Sequence, residues 1–349
     1  QIEINPGNLA RGIYLVKMKV AFIEPSIPNV EPLGIGYLAQ VLINNGYEVK
    51  YFETPRKNFL KRLKQFNPSV LAYSITTGKH RLCRDINRIL RRKIDAISLF
   101  GGPHCTFCPE FIESDEFIDG ICWGEGEEAI VDLLGRIKCG EDYRNTENWW
   151  LRVDGKIYKN SVRHKIQDID SISFPNREVI YAENRDLRDT PIKRILASRG
   201  CPFTCSYCFN RKYNLLYEGK GSTYRLRSLQ NITQEINEIR KKYPITFLKF
   251  TDDIFGLSMD YDKFAKVYKR IEIPFLCNIR PDLIDEYKIG KLKESGCVAV
   301  TIAIESGNEF VRNKLLNRNM SEELINKAIS ALKRKGIKVW TQNIIGNPG

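Results

Sequence analysis

The stretch Ala197-Ser198-Arg199-Gly200-Cys201-Pro202-Phe203-Thr204-Cys205-Ser206-Tyr207-Cys208-Phe209 decides how the rest of the chain is read. Its cysteines follow a C-x3-C-x2-C spacing. Three thiolates this close in sequence can wrap one small soft-metal centre. Four would fill a structural zinc site or complete an ordinary iron–sulfur cluster. Three from a single loop leave a position open for a substrate or cofactor, so the spacing points to chemistry rather than to a staple. A chain this long that reads as unsecreted is not expected to carry a disulfide framework. A zinc site would need a fourth ligand, yet His104 and His164 lie far upstream and Cys277 falls inside a strand-like run.

This run resembles the signature of the radical S-adenosylmethionine (SAM) superfamily. The resemblance implies that Cys201, Cys205 and Cys208 bind a 4Fe–4S cluster, with the amino and carboxylate groups of SAM on the fourth iron. Electron transfer would then cleave SAM to a 5′-deoxyadenosyl radical. Tyr207 matches the aromatic position before the last cysteine, which in that family lies against the adenine.

Composition bounds the remainder. At about 150 residues per domain, 349 residues suggest two domains. A hydrophobic content of 42% supports buried cores. No apolar run of about 18 residues suggests a membrane span. Ten cysteines in an unsecreted-looking chain fit a reducing compartment, and a cytoplasmic location is expected. The net charge of +13 is spread along the chain, with clusters at Arg91-Arg92-Lys93 and Lys333-Arg334-Lys335. A nucleic-acid partner is compatible with that charge, but solvated lysine-rich helix faces are the preferred reading. Residues 1–17 are expected to be an upstream extension, because Met18-Lys19-Val20-Ala21-Phe22-Ile23 reads like a start into a first strand.

From Lys19 short apolar runs alternate with helical stretches. Strands are expected over Val20 to Ile23, Tyr47 to Phe52, Val70 to Ile75, Ala96 to Phe100 and Gly120 to Trp123. Helices are expected over Gly34 to Asn45, Phe59 to Phe66, Cys83 to Arg92 and Glu127 to Ile137. Such alternation means an α/β fold with a doubly wound parallel sheet, whose ligands sit beyond the carboxyl ends of the strands. Those ends carry Gly34 and Gly36, Ser74, Gly101, Gly102 and His104, and Gly124 and Gly126. Glycines there let backbone approach a bulky ligand and offer it N–H groups. Each alone is a weak signal, and four sets in register point to a ligand.

This half (18–138) resembles the cobalamin-binding domain that precedes the radical SAM domain in one large subgroup. Pro32-Leu33-Gly34-Ile35-Gly36-Tyr37-Leu38, Gly101-Gly102-Pro103-His104 and Gly124-Glu125-Gly126-Glu127 stand where the subgroup has them. The Asp-x-His-x-x-Gly motif, whose histidine ligates cobalt in many cobalamin proteins, is absent: its place reads Glu24-Pro25-Ser26-Ile27-Pro28. If cobalamin binds, no histidine of that motif is its lower ligand. His104 is a further candidate ligand, although a loop or capping role is preferred. Cys105 and Cys108 form another C-x2-C, read as buried or incidental without two more ligands.

Residues 139–185 are expected to hold a hairpin and a linker. Trp149 to Tyr158 reads as a β-hairpin turning at Asp154-Gly155. Asp168 to Pro175 reads as an extended segment, with Phe174 biased away from helix by the following proline.

From 186 to 349 strands and helices alternate again. Strands are expected over Ile192 to Ser198, Phe247 to Thr251, Phe275 to Ile279, Val298 to Glu305 and Val339 to Ile345. Helices are expected over Leu229 to Lys241, from Tyr261, and over Asn308 to Leu316. This suggests a partial (β/α) barrel, truncated after strand five where the family has six. The polar strand ends are Asp252-Asp253, Arg280, Glu305 and, further on, Arg318. Adjacent carboxylates on a strand face opposite ways, so Asp252 and Asp253 are not a general acid/base pair. The resemblance implies that the Asp252-Asp253 position meets the SAM amino group. It places Glu305 on the ribose and Arg318 on the SAM carboxylate, a task that suits a guanidinium fork. Gly346-Asn347-Pro348-Gly349 resembles the turn near the adenine. Singly each is an ordinary loop or salt-bridge residue; in register after the cysteine loop they read as a binding set. The chain is expected to be a fragment or an unusually short member.

The resemblance implies a radical SAM enzyme using a 4Fe–4S cluster, SAM and cobalamin. It would methylate an unactivated carbon, one SAM methylating the cobalamin and a second supplying the radical. Cyclisation or ring rearrangement, methylthiolation of transfer RNA, and a non-catalytic iron–sulfur protein are the alternatives. The substrate would be a small molecule, a lipid or a peptide, and the reductant a flavodoxin or ferredoxin. The cysteines of the amino-terminal half do not form the second three-cysteine cluster of methylthiotransferases.

Overall fold

A computed structural model describes residues 18–25 and 30–347. The expected extension over 1–17, Ser26-Ile27-Pro28 and the final Pro348-Gly349 lie outside the described residues. The chain divides into two compact units. One is the chain up to Lys165 together with Ile172–Leu187; the other is Ile166–Ser171 together with the chain from Arg188.

The first unit is built on seven strands: β1 (Lys19–Pro25), β2 (Glu48–Thr54), β3 (Val70–Ser74), β4 (Ile97–Gly101), β5 (Gly120–Cys122), β6 (Trp149–Val153) and β7 (Lys156–Lys159). Their order is β2-β1-β3-β4-β5-β6-β7, the first five parallel. Helices Leu33–Asn44, Phe59–Phe66 and His80–Arg91 and the short helix Pro103–Phe107 with the turn Pro109–Ser114 make the crossovers, while Glu127–Cys139 leads from β5 to the antiparallel β6. Val20, Ala21, Phe22 and Ile23 are all buried, as continuous apolar runs must be when a parallel sheet is covered on both faces. Strand order reverses between β1 and β3, the switch point beyond whose carboxyl ends sheets of this kind bind their ligands. The expected hairpin forms. Asp154 and Gly155 both have positive φ, +48° and +74°, which matches the twist of a two-residue turn. It lies antiparallel on β5, extending the sheet through buried Trp149, Trp150 and Leu151.

The second unit holds β8 (Ile192–Ile195), β9 (Ser198–Gly200), β10 (Tyr224–Leu226), β11 (Phe247–Phe250), β12 (Phe275–Ile279), β13 (Cys297–Glu305) and β14 (Lys338–Asn343). Five of them lie parallel in chain order, β8-β11-β12-β13-β14, the arrangement of a partial (β/α) barrel. The strand expected over Ile192 to Ser198 is broken: Ser198–Gly200 leaves the barrel sheet and pairs antiparallel with β10. Gly200 has φ +83° there, and a Cβ on it would sit 2.2 Å from the Thr223 carbonyl oxygen. Helices on the barrel begin at side-chain caps. Ser228, Asp260, Asp285 and Ser321 accept the N–H of Asn231, Lys263, Lys288 and Leu324, each cap contributing about 1 kcal/mol. Phe250, Phe264, Tyr268 and Phe275 form an aromatic core beneath them, Phe250 and Phe275 meeting edge to face at 5.3 Å. The helix expected over Asn308 to Leu316 is a short π-helical turn at Val311–Leu315. No described helix is long and apolar enough to cross a membrane.

Candidate functional site

The cysteine loop leaves β9 at Gly200 and ends on the helix Phe209–Leu216, which Cys208 precedes as its N-cap residue. Asn214 donates to the Cys201 carbonyl at 2.9 Å. The segment after the π-helical turn clamps the other side. Ser206 donates its N–H to Leu316 O (3.1 Å) and its hydroxyl to Leu315 O (2.5 Å). The Asn317 amide donates to the backbone and side-chain oxygens of Thr204, both at 3.0 Å. These bonds fix the shape of the loop. Cys205 is buried and Cys201 and Cys208 are half-buried. Burial pushes the Cys201 thiol up to about 11, so a metal would have to displace its proton. No three His, Cys, Asp or Glu side chains among the described residues converge on a single ion. Three thiolates on one short loop are, by their chemistry, a donor set that suits an iron–sulfur cluster.

Tyr207, Glu305 and Arg318 meet beside Cys205. The Tyr207 hydroxyl donates to Glu305 Oε1 at 2.8 Å and accepts from Arg318 Nη1 at 2.6 Å. Arg318 Nη2 donates to Ala303 O, while its Nε is buried without a partner. An unpartnered buried guanidinium nitrogen is costly and fits an anionic ligand group. Glu305 has φ +68°, and the β13–β14 register shifts between Ala303 and Glu305. Backbone strain and a bulge together re-aim this side chain at the strand end. Sequence patterning carried no sign of either.

The strand stops at Phe250, so Asp252 and Asp253 lie in the loop beyond β11 rather than as strand neighbours, and they differ in their surroundings. Asp252 is fully enclosed. It accepts the Ser198 hydroxyl at 2.5 Å and the Ala197 N–H at 3.2 Å, and burial raises its carboxyl to about 6. It thus ties β11 to the root of the cysteine loop. Asp253 lies on the loop's side, its carboxyl raised by burial and held down by Asn210, which also donates to Cys208 Sγ at 3.7 Å. Near the carboxyl end Gly346 turns with φ +85°.

In the first unit the polar strand ends gather at the switch point. Glu24, at the end of β1, accepts from the Tyr51 hydroxyl (3.1 Å) and from Lys79 Nζ (3.5 Å), and burial raises its carboxyl. The sequence reading assigned Glu24 no role. Gly102 has φ +89°, and a Cβ on it would lie within 3.0 Å of the Ile75 backbone and Ser74 Oγ. Gly101 and Gly124 lie on the same rim, Gly124 at φ +89°. His104 shares a hydrogen bond with Thr77 Oγ1 at 3.0 Å and stacks on His80 at 4.1 Å; burial and His80 lower its pKa. Gly34 faces open space, whereas Gly36 admits Pro175, which a Cβ would meet at 2.9 Å, and Gly126 lies under Leu38. These last two glycines serve packing. Cys105 is buried and Cys108 exposed.

Residues 195–349 match the Radical SAM superfamily model and residues 26–134 the B12 binding domain model. The chain belongs to the radical SAM superfamily, in the group with an amino-terminal B12-binding domain. That family works with a 4Fe–4S cluster and SAM, and the first domain is of the cobalamin-binding kind. An uncharacterized methyltransferase of Pyrococcus horikoshii is 24% identical, over 91% of this chain and 70% of its own length. Anaerobic magnesium-protoporphyrin IX monomethyl ester cyclase of Rubrivivax gelatinosus is 25% identical, over 94% and 62%. The chain thus spans about two thirds of the curated relatives it matches. In fold it is similar to the radical SAM methyltransferase TsrM of Kitasatospora setae, with a TM-score of 0.75 and 17% identity over 95% of this chain and 68% of that one.

Proposed function

We propose that this protein is a cobalamin-dependent radical SAM methyltransferase acting on an unactivated carbon. The observation that carries the reading is the hydrogen-bonded cysteine loop with Tyr207, Glu305 and Arg318 converging beside Cys205. Cys201, Cys205 and Cys208 hold the cluster. Arg318 offers its guanidinium to the SAM carboxylate, Glu305 faces the ribose, Asp253 the amino group, and Tyr207 the adenine. Asp252 acts at one remove, by fixing Ser198 and Ala197. In the first unit the rim of Ser74, Gly101, Gly102 and Gly124, with Gly34 and His104, borders the cobalamin crevice, and Gly36 and Gly126 support it. When bound, cluster and SAM supply the 5′-deoxyadenosyl radical, and cobalamin supplies the methyl group. A low-potential reductant of the flavodoxin or ferredoxin kind and a cytoplasmic setting belong to the same reading; the substrate class is a small molecule, a lipid or a peptide.

The test is anaerobic purification and cluster reconstitution, followed by reduction with SAM and cobalamin present. Deoxyadenosine should form, and the iron–sulfur spectrum should change on adding SAM. Replacing Cys201, Cys205 and Cys208 by alanine should abolish both. Intact protein that loads a cluster but never cleaves SAM defeats the reading. The Rubrivivax relative favours ring formation as a second outcome. Product mass decides: a gained methyl group supports methylation, and loss of hydrogen without one supports cyclisation.

A further inference from the structure

Arg280 has no role in the reading above, yet it stands against a cysteine of the loop. It follows β12 and is 8% exposed. Its Nε and Nη2 form a two-point fork on Asp282, at 3.0 and 2.9 Å, and Nη2 also donates to the Arg318 carbonyl at 3.0 Å. The guanidinium lies 3.7 Å from the centroid of the Phe203 ring. A carboxylate fork and a stacked ring hold an arginine in one orientation. Tying Asp282 to the Arg318 backbone needs only Nε and Nη2. The remaining nitrogen, Nη1, donates to Cys205 Sγ at 3.5 Å.

We propose that Arg280 is a positioning residue that donates a charge-assisted N–H···S bond to the Cys205 thiolate and so raises the reduction potential of the cluster. The inference rests on reading Cys205 as a cluster ligand. Reduction adds one electron, taken from the external reductant, to a centre that is already anionic through its thiolates. A positive N–H pole at a ligand sulfur stabilises the more negative, reduced form over the oxidised one, and hydrogen bonds to sulfur are a main determinant of such potentials. Asp282 offsets part of the charge, but it sits on the Nε–Nη2 edge, leaving the Nη1 pole toward sulfur. Burial keeps water from screening the contact. Arg318 Nη1, at 3.9 Å from the same sulfur, adds a weaker second pole.

The test is a redox titration of reconstituted protein followed by electron paramagnetic resonance, with iron and sulfide counted in each sample. Arg280→Gln should keep its cluster yet show, at fixed poise, about tenfold fewer reduced centres per oxidised one, a downward shift of about 59 mV for one electron. Arg280→Lys, which keeps the charge and loses the fork, should fall between. A fully loaded Arg280→Gln protein with an unmoved potential overturns the inference. Should that variant fail to fold or load, wild-type protein labelled with 15N-arginine gives the second measurement. A 15N hyperfine coupling to the reduced cluster, lost in Arg280→Lys, supports the contact; no coupling in wild type overturns it. A wild type that assembles no cluster overturns this inference together with the reading of the loop. A loaded cluster with unmoved potential overturns this inference alone.

Discussion

Asp252 is a carboxylate kept where burial makes its charge costly. Its carboxyl rises from 3.8 to about 6, with only the Ser198 hydroxyl and nearby backbone N–H groups to offset desolvation. The folded protein therefore holds this proton to higher pH than the unfolded chain does. Its contribution to stability is full below the unfolded value of 3.8 and is lost as pH rises through about 6. The two-unit shift corresponds to about 3 kcal/mol. Urea unfolding of the wild type should accordingly show stability rising as pH is lowered from 7 toward 5. Asp252→Asn should flatten that slope. Glu24 shifts in the same direction through burial, so the difference between wild type and variant is the quantity to compare. An identical slope in both proteins would exclude Asp252 as its source. The Asp252-Asp253 pair was legible at its strand end, but the strand stops at Phe250, so the alternation expected of strand neighbours does not apply to it. Which carboxylate is enclosed was not legible, because the enclosing groups at Ala197 and Ser198 lie more than fifty residues away.

At the scale of elements, the junction of β3 and β4 hangs on one glycine. Gly102 has φ +89° and ψ −174°, a region that essentially only glycine occupies. A Cβ there would lie 2.8 and 2.9 Å from the Ile75 nitrogen and oxygen, which are backbone atoms that cannot rotate away. Gly102→Ala should therefore cost about 1–3 kcal/mol in backbone strain, with the clash added, and should splay the strand ends. Chemical denaturation of the first unit should show that loss, and a stability equal to wild type would contradict it. The glycine was visible in sequence as part of a rim; its backbone conformation was not. The parallel strands of the first unit were legible because strands buried on both faces read as unbroken apolar runs, whereas β14 in the second unit is largely exposed and mixes polar with apolar residues. The hairpin was legible from Asp154-Gly155, but its docking on β5 depends on a partner no local pattern names. The helix Glu286–Glu294 went unassigned because its lysine-rich run shows few apolar positions to count, whereas Glu322–Arg334 was missed although Leu324, Ile325, Ala328, Ile329 and Leu332 recur at helical spacing. The turn at Val311–Leu315 read as an ordinary helix because a π-helical turn differs only in its hydrogen-bond register.

At the scale of the molecule, two cofactor readings rest on two separate cores. One cluster of buried residues runs from Ala21 to Trp150 in the first unit, the other from Ile195 to Ile337 in the second. Each unit buries its own apolar surface, so a local fault in one need not unfold the other. A double dissociation should follow. Protein with Cys201, Cys205 and Cys208 all replaced by alanine should purify without iron or sulfide and still bind cobalamin with wild-type affinity, read from the cobalamin absorbance on titration. Gly102→Ala should load a full cluster and bind cobalamin at least about tenfold more weakly, a difference of about 1.4 kcal/mol that its backbone strain readily supplies. If either substitution abolished both cofactors, the two cores would have to unfold as one. The cobalamin crevice and the cysteine loop could then not be assigned to their units by mutation at all.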